Sequence, residues 1–74
     1  MSKEISNAVV QARNLEKALQ VATTDKGLSF SSMNAELRKA GTNMNQVVSG
    51  LIAGGDAFKG SANEALTAFA NANR

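Results

Sequence analysis

The chain has 74 residues, 43% of them hydrophobic, and its 8 basic and 6 acidic residues give a net charge of +2. This length fits one small domain and excludes two. The absence of Cys and His excludes a disulfide framework and a Cys/His zinc site. The hydrophobic content includes 13 Ala but only three Phe and no Trp or Tyr, which predicts a thin core.

The first predicted helix spans residues 3–23. Ser2 can cap its start, and Glu4 complements the positive end of the helix dipole. Apolar residues recur there at spacings of three and four, which predicts one buried stripe. The stripe consists of Ile5, Ala8, Val9, Ala12, Leu15, Leu19 and Ala22. Gly27 is expected to close the helix in a left-handed conformation, with Leu28 filling the turn.

The second predicted helix spans residues 29–40, with Ser29 as its N-cap and Gly41 as its stop. Its apolar stripe is Phe30, Met33, Leu37 and Ala40. A third helix follows, because Asn43 and Gln46 have the spacing of a capping box. Its apolar face is Met44, Val47, Val48, Leu51 and Ile52, and Gly54 with Gly55 ends it.

The fourth predicted helix has two alternative starts. It begins at Asp56, or at Ser61, which forms a Ser-x-x-Glu box with Glu64; a break is expected near Gly60. The helix should bury Ala65, Leu66 and Phe69. Residues 70–74 are Ala, Asn and a single Arg, so we expect a frayed tail.

These elements predict an all-α fold, a small irregular antiparallel bundle of three to four short helices spanning residues 1–74 as a single domain. The sequence shows no repeat with a period of 20 to 50 residues, so a solenoid fold is not predicted. The core is expected to contain Leu15, Leu19, Phe30, Leu37, Val48, Leu51, Leu66 and Phe69.

The sequence offers no set of residues for catalysis or for a cofactor, which predicts a protein that is not an enzyme. Residues 55–61 have the outer spacing of a phosphate loop, but Lys59 precedes the second glycine instead of following it. The second and third helices could suggest a helix-turn-helix. However, residues 40–55 contain no Lys or Arg to neutralise DNA phosphates, so we expect no nucleic-acid binding.

Two further features concern helix contacts. Gly50 and Gly54 have the spacing that lets a second helix approach closely, but Gly54 can also serve as a C-cap. The uncharged third helix is a candidate partner face, formed by Met44, Val47, Val48, Leu51 and Ile52. The alternative to a partner face is that these apolar residues pack on the domain's own core. No 20-residue window is apolar enough to span a bilayer, and we expect no membrane contact from this segment.

An ordered pattern of glycines and apolar residues extends from residue 8 to residue 55. A helix ending in an Ala-Thr step leads to a Lys-Gly-Leu turn, and spaced Phe, Asn, Leu, Gly and Met positions follow. These residues are Ala22, Thr23, Lys26, Gly27, Leu28, Phe30, Asn34, Leu37, Gly41, Met44, Leu51 and Gly55. The pattern resembles a segment near the N-terminus of phage tail tape-measure proteins. Ser29 stands where that family often has Asp, and the similarity weakens after Gly55.

The resemblance implies a fragment of a longer, largely helical protein that lies inside the tail tube and acts as a ruler for tail length. It implies a location in the virion tail, and in the host cytoplasm during assembly. The implied partners are other tape-measure segments, a tail-assembly chaperone or the tail tube protein, with self-association as a further alternative. A second hypothesis is a free-standing helical adaptor or regulator that binds a protein through its third helix.

Overall fold

The computed structural model describes the backbone of residues 3–25 and 30–72 and the side chains of residues 3–22 and 31–72. This part of the chain forms four α-helices and one 3-10 turn, without a strand. The helices are α1 (Lys3–Asp25), α2 (Phe30–Lys39), α3 (Met44–Ala53) and α4 (Lys59–Ala72), and the 3-10 turn is Asp56–Phe58. The predicted small all-α bundle is therefore confirmed.

Helix α1 is the long axis of the bundle. Its 23 residues span about 35 Å at the α-helical rise, close to the 37 Å length of the molecule. The other elements lie along it: α1 packs most extensively on α3 and next on α2, while α4 packs mainly on α3. The helix continues two residues beyond the predicted end at residue 23.

The stripe predicted for α1 is largely correct. Ala8, Leu15 and Ala22 are buried, but Ile5 at the first turn is 39% exposed. The prediction missed Ala18 and Gln11, which are also buried. Gln11 was overlooked because a polar residue is normally exposed.

Helix α2 ends in a Schellman motif. The Thr42 amide donates to the Leu37 carbonyl at 3.0 Å, and the Gly41 amide donates to the Arg38 carbonyl at 2.9 Å. Gly41 has φ +76°, the left-handed conformation that this motif requires. Gly41 is thus confirmed as the stop. Ala40 lies in the turn and is exposed, so its predicted place in the buried stripe is wrong.

Helix α3 begins at the predicted cap. Asn43 has an extended backbone, and its Oδ1 accepts a 2.9 Å hydrogen bond from the Gln46 amide. The Gln46 side chain contacts Thr42, whose hydroxyl lies 3.1 Å from the Gln46 Oε1. At the other end the Gly54 amide donates to the Gly50 and Leu51 carbonyls, and Gly55 turns the chain away with φ +91°.

Helix α4 starts at Lys59, between the two predicted starts at Asp56 and Ser61, and the 3-10 turn Asp56–Phe58 precedes it. Ser61 therefore lies inside the first turn of α4 and does not cap it. The helix runs through Gly60 without a break, and the change from 3-10 to α geometry comes just before it, at Lys59. The prediction that the tail frays from residue 70 is wrong for residues 70–72. Residues 70–72 are helical, and Ala72 is 9% exposed because it packs with Ala22, Met33 and Ala68.

The core contains few large side chains. Leu15, Met33, Leu37, Val47 and Leu51 are the largest fully buried ones, and most of the remaining buried apolar residues are alanines. The core predictions for Leu15, Leu37 and Leu51 are confirmed. Leu19, Val48 and Phe69 are half-buried against the core, whereas Leu66 is 50% exposed, so its predicted burial is wrong.

Several predictions fall outside the described residues. These are the cap at Ser2, the helix end at Gly27, the turn residue Leu28 and the N-cap Ser29. The Phe30 side chain also lies outside them, although its backbone is the first residue of α2.

Candidate functional site

The apolar residues of helix α3 form one buried set and one accessible set. Val47 and Leu51 are fully buried between α3 and the rest of the bundle. Met44 and Val48 are half-buried, and Ile52 is 62% exposed. Residues four apart on a helix form a ridge that drifts slowly around its axis. The ridge Met44, Val48, Ile52 therefore starts beside the core and ends in solvent.

Helix α4 packs through its smallest side chains. Its buried residues are Ala62, Ala65, Ala68 and Ala72. Alanines permit a close approach between helices, so the larger neighbours are pushed to the flank of the contact. Phe69 is consequently only half-buried and Leu66 is 50% exposed.

The ridge of α3 and the flank of α4 face the same open groove. The groove has a volume of about 590 Å³. It is lined by Asn34, Asn43, Met44, Asn45, Val48, Ser49, Leu66, Phe69 and Ala70. Ile52 adjoins it, because Ile52 and Leu66 together line the next depression along the same helices. We name Met44, Val48, Ile52, Leu66 and Phe69 the α3–α4 face.

The groove contains no ionisable side chain, and its polar lining is made of Asn and Ser. Asp56 and Lys59 lie at one end, in the depression shared by Ile52 and Leu66. Neutral amides and aliphatic groups bind by apolar contact and by hydrogen bonds to neutral groups. The site is suited to an uncharged, apolar protein surface.

Close contact with α1 holds α3 in place. A Cβ added to Gly50 would lie 2.8 Å from Asn7 Nδ2, and one added to Gly54 would lie 2.4 Å from the Ala8 Cβ. Both of the roles considered for Gly54 are therefore present, since it also ends α3. The Gly50 and Gly54 spacing serves contact inside the domain.

A buried polar contact fixes the same pair of helices. Gln11 and Thr42 are 7% and 8% exposed, and the Thr42 hydroxyl lies 3.3 Å from the Gln11 Oε1. Asn14 Nδ2 also donates to that oxygen, and Gln11 Nε2 donates to Asn7 Oδ1, at 3.3 and 3.4 Å. Among the described residues no buried side-chain nitrogen or oxygen lacks a partner. These hydrogen bonds thus hold the start of α3 against α1, and the buried polar atoms in the described residues already have protein partners.

The partner face predicted from the sequence is only partly accessible. Val47 and Leu51 are fully buried, so these two residues pack in the domain's own core and are not available to a partner. Met44, Val48 and Ile52 remain accessible, and the structure adds Leu66 and Phe69 from α4. The sequence analysis placed Leu66 and Phe69 in the core together with Ala65, as one buried face of the last helix. Of these three residues only Ala65 is fully buried, and the buried face is the alanine spacing at 62, 65, 68 and 72.

The structure gives no support to a nucleotide or metal site in the described residues. Residues 55–61 form a 3-10 turn and the start of α4, with α3 rather than a strand before them. Within residues 3–25 and 30–72, no three metal-binding side chains cluster. No helix in these ranges has the length and apolar character needed to cross a membrane.

Comparisons with known proteins do not place the chain in a family. No family model matches it, and neither the curated proteins nor the solved structures include a significant match.

Proposed function

We propose that the chain is a structural segment of a phage tail tape-measure protein, with a role in tail length determination and tail assembly. The supporting observation is that the residues carrying the resemblance coincide with the features that define this fold. Gly41 and Gly55 have positive φ angles after α2 and α3, and Leu37 and Leu51 are fully buried. Within residues 8–55 the pattern therefore follows turn and core positions of α1, α2 and α3.

This role requires no catalytic group. In a ruler the chain supplies length and contact surfaces, and its partners are proteins: other tape-measure segments, a tail-assembly chaperone or the tail tube protein. The α3–α4 face offers an apolar surface for such a contact. The corresponding location is the virion tail, and the host cytoplasm during assembly.

The length and neighbourhood of the native reading frame test this proposal. We expect the 74 residues to be continuous with a long, mainly helical protein encoded beside tail genes. A native gene that stops after Arg74, with no tail genes around it, would contradict the proposal. Mass spectrometry of purified virions provides a second test, because peptides from this segment should be found in the tail.

The second candidate function is a free-standing adaptor or regulator that binds a protein through α3. It is favoured by the 62% exposure of Ile52 and the 50% exposure of Leu66, which are large for apolar side chains. This function predicts a saturable complex with a partner from the same cell.

Lysine substitutions distinguish the adaptor from the ruler. Ile52→Lys is the most direct variant because its side chain is already exposed, whereas Val48→Lys also disturbs a half-buried position. Val10→Lys on α1 is a matched control, since Val10 is 50% exposed. An adaptor should lose its partner on Ile52→Lys and keep it on Val10→Lys, with both variants folded. Equal binding by the two variants would remove α3 as the binding helix.

A further inference from the structure

Helix α4 contributes only small side chains to the buried core. The largest fully buried residues all belong to the other three helices: Leu15, Met33, Leu37, Val47 and Leu51. The buried residues of α4 are Ala62, Ala65, Ala68 and Ala72. Hydrophobic stabilisation scales with the apolar area removed from water, and an alanine buries a single methyl group. Apart from the half-buried Phe69, little apolar area therefore holds α4 to the bundle.

Helix α4 also lacks the polar contacts that join the other helices. Thr42, just before α3, contacts Gln11 of α1, and Glu36 of α2 pairs with Lys17 of α1. No side-chain hydrogen bond or ion pair joins Lys59–Ala72 to residues 3–22 or 31–58. In addition, α4 packs mainly on α3, whereas α1 packs extensively on both α2 and α3. Helices α1–α3 are thus linked to one another more strongly than to α4.

The sequence of α4 favours a helix only weakly. Its first two residues are Lys59 and Gly60. A positive charge is unfavourable at the positive end of the helix dipole, and glycine lowers helix stability. No acidic residue in the first turn of α4 and no basic residue in its last turn compensates the dipole. Its 14 residues are about the length at which an isolated helix is marginally stable in water. Helix α4 therefore depends on packing, which is slight.

Gly60 marks the point from which α4 can move. Phe58, two residues earlier, packs against the core, and a Cβ added to Gly54 would lie 2.8 Å from the Phe58 Cδ2. The space around Gly60 is open, because an added Cβ would meet no atom within 4 Å. Ala62 is the first buried residue of α4. The chain can therefore bend at Gly60 and leave the contacts of Phe58 intact.

We propose that α4 opens as one unit from residue 60 onward, while α1–α3 and the 3-10 turn stay folded. Proteins open in cooperative parts, and the parts with the fewest buried apolar contacts open at the lowest free energy. The alanines of α4 belong to the same two core clusters as Leu51 and Met33. Opening therefore uncovers part of the core of α1–α3, so α4 acts as a hinged cover. The proposal concerns the motion of the chain itself and does not depend on the tape-measure assignment.

Amide hydrogen exchange of the whole 74-residue chain, followed residue by residue by NMR, tests the proposal without any substitution. After correction for intrinsic rates, the amides of residues 64–70 should exchange at least about tenfold faster than the slowest amides of α1 and α3. The protection factors of these α4 amides should agree to within about threefold, because one opening reaction exposes them together.

Two substitutions should give an asymmetric pattern. Thr42→Val removes a hydroxyl that contacts Gln11 and Gln46, both outside α4. It should speed the slowest exchange in α1–α3 by about fivefold or more and leave α4 unchanged, because these contacts persist while α4 is open. Ala65→Gly should speed exchange in α4 by at least about fivefold, and in α1–α3 by a similar factor, because complete unfolding includes the opening of α4. Thr42→Ser keeps the hydroxyl and is the matched control for Thr42→Val.

Three results would overturn the proposal. The first is a wild-type α4 whose amides exchange as slowly as the slowest amides of α1 and α3, since all four helices would then unfold together. The second is protection that declines steadily from residue 64 to residue 72, which indicates fraying from the end of the helix. The third is equal acceleration of exchange in α4 and in α1–α3 by Thr42→Val. If a variant fails to fold, the wild-type exchange pattern decides. None of these results would affect the reading-frame test of the tape-measure proposal.

Discussion

Gly54 lies so close to α1 that a Cβ added to it would be 2.4 Å from the Cβ of Ala8. The same atom would be 2.8 Å from Cδ2 of Phe58. Neither neighbour is the end of a flexible side chain, so a larger residue at position 54 requires α1 and α3 to separate. The contact sets the distance between the two helices that share the most extensive interface.

The first prediction is that Gly54→Ala destabilises the fold by about 1–3 kcal/mol, the usual effect of overpacking. Gly60→Ala is the matched control, because a Cβ there meets no atom within 4 Å and the residue is helical. The control should stabilise by about 0.4–1 kcal/mol by reducing the freedom of the unfolded chain. Chemical denaturation of both variants measures the difference. Ala8→Gly should recover part of the loss in Gly54→Ala, and no recovery would place the strain at Phe58 instead.

The second prediction concerns Leu37, which is fully buried and belongs to the main core cluster together with residues of α1, α3 and α4. Leu37→Ala should destabilise by about 2–5 kcal/mol, a large share of the stability of a small domain. Leu66→Ala removes the same atoms from a side chain that is 50% exposed and should cost well under half as much. Thermal unfolding at low protein concentration, where self-association is minimal, gives the comparison. An unchanged midpoint for Leu37→Ala would remove this residue from the core.

Local sequence signals were sufficient to predict the fold class, the end of α2 and both ends of α3. Gly41, Asn43 and Gly55 act on the backbone of their own turn, so their effect can be predicted without knowing the packing. The start of α4 at Lys59 matches neither predicted alternative, because Asp56 begins a 3-10 turn and Ser61 and Glu64 have the spacing of a cap but lie within a helix that has already started.

The candidate site was harder to predict, because it depends on which helices approach closely. Helices α4 and α3 pack closely on their neighbours through alanines and glycines, respectively. Leu66 and Ile52 then lie on the exposed side of these contacts, although both are strongly hydrophobic. A hydrophobic stripe shows that one side of a helix is apolar, but it does not show which part of that side another helix covers. For that reason Val47 and Ile52 were predicted together and lie in different environments.

The third prediction concerns the buried contact between Thr42 and Gln11. Thr42→Val keeps the shape of the side chain but removes the hydroxyl that contacts Gln11 and Gln46. We expect a loss of about 1–2 kcal/mol, because Gln11 stays buried with one partner fewer. Thr42→Ser keeps the hydroxyl and should lose less. Urea denaturation compares the two variants, and a Thr42→Val chain as stable as the wild type would show that the hydroxyl contributes no net stability.

The fourth prediction concerns Glu36, whose side chain is only 9% exposed although it is ionisable. Its carboxylate lies 3.8 Å from Lys17 Nζ of α1 and 3.5 Å from Lys39 Nζ, and the two lysine side chains are 73% and 76% exposed. Exposed ion pairs contribute about 0–1 kcal/mol each. Lys17→Met alone should therefore have a small effect, because Lys39 still pairs with the carboxylate.

Replacing both lysines should have a larger effect than the sum of the two single substitutions. Lys17→Met with Lys39→Met leaves a nearly buried carboxylate without a cation, which costs about 1–3 kcal/mol. Methionine retains most of the aliphatic chain, so the loss reports on charge rather than on packing. Adding Glu36→Met to the double variant removes the unpaired charge and should restore most of the stability. Denaturation of the full set of variants at low salt tests this order, and purely additive effects would show that the two lysines act on Glu36 independently.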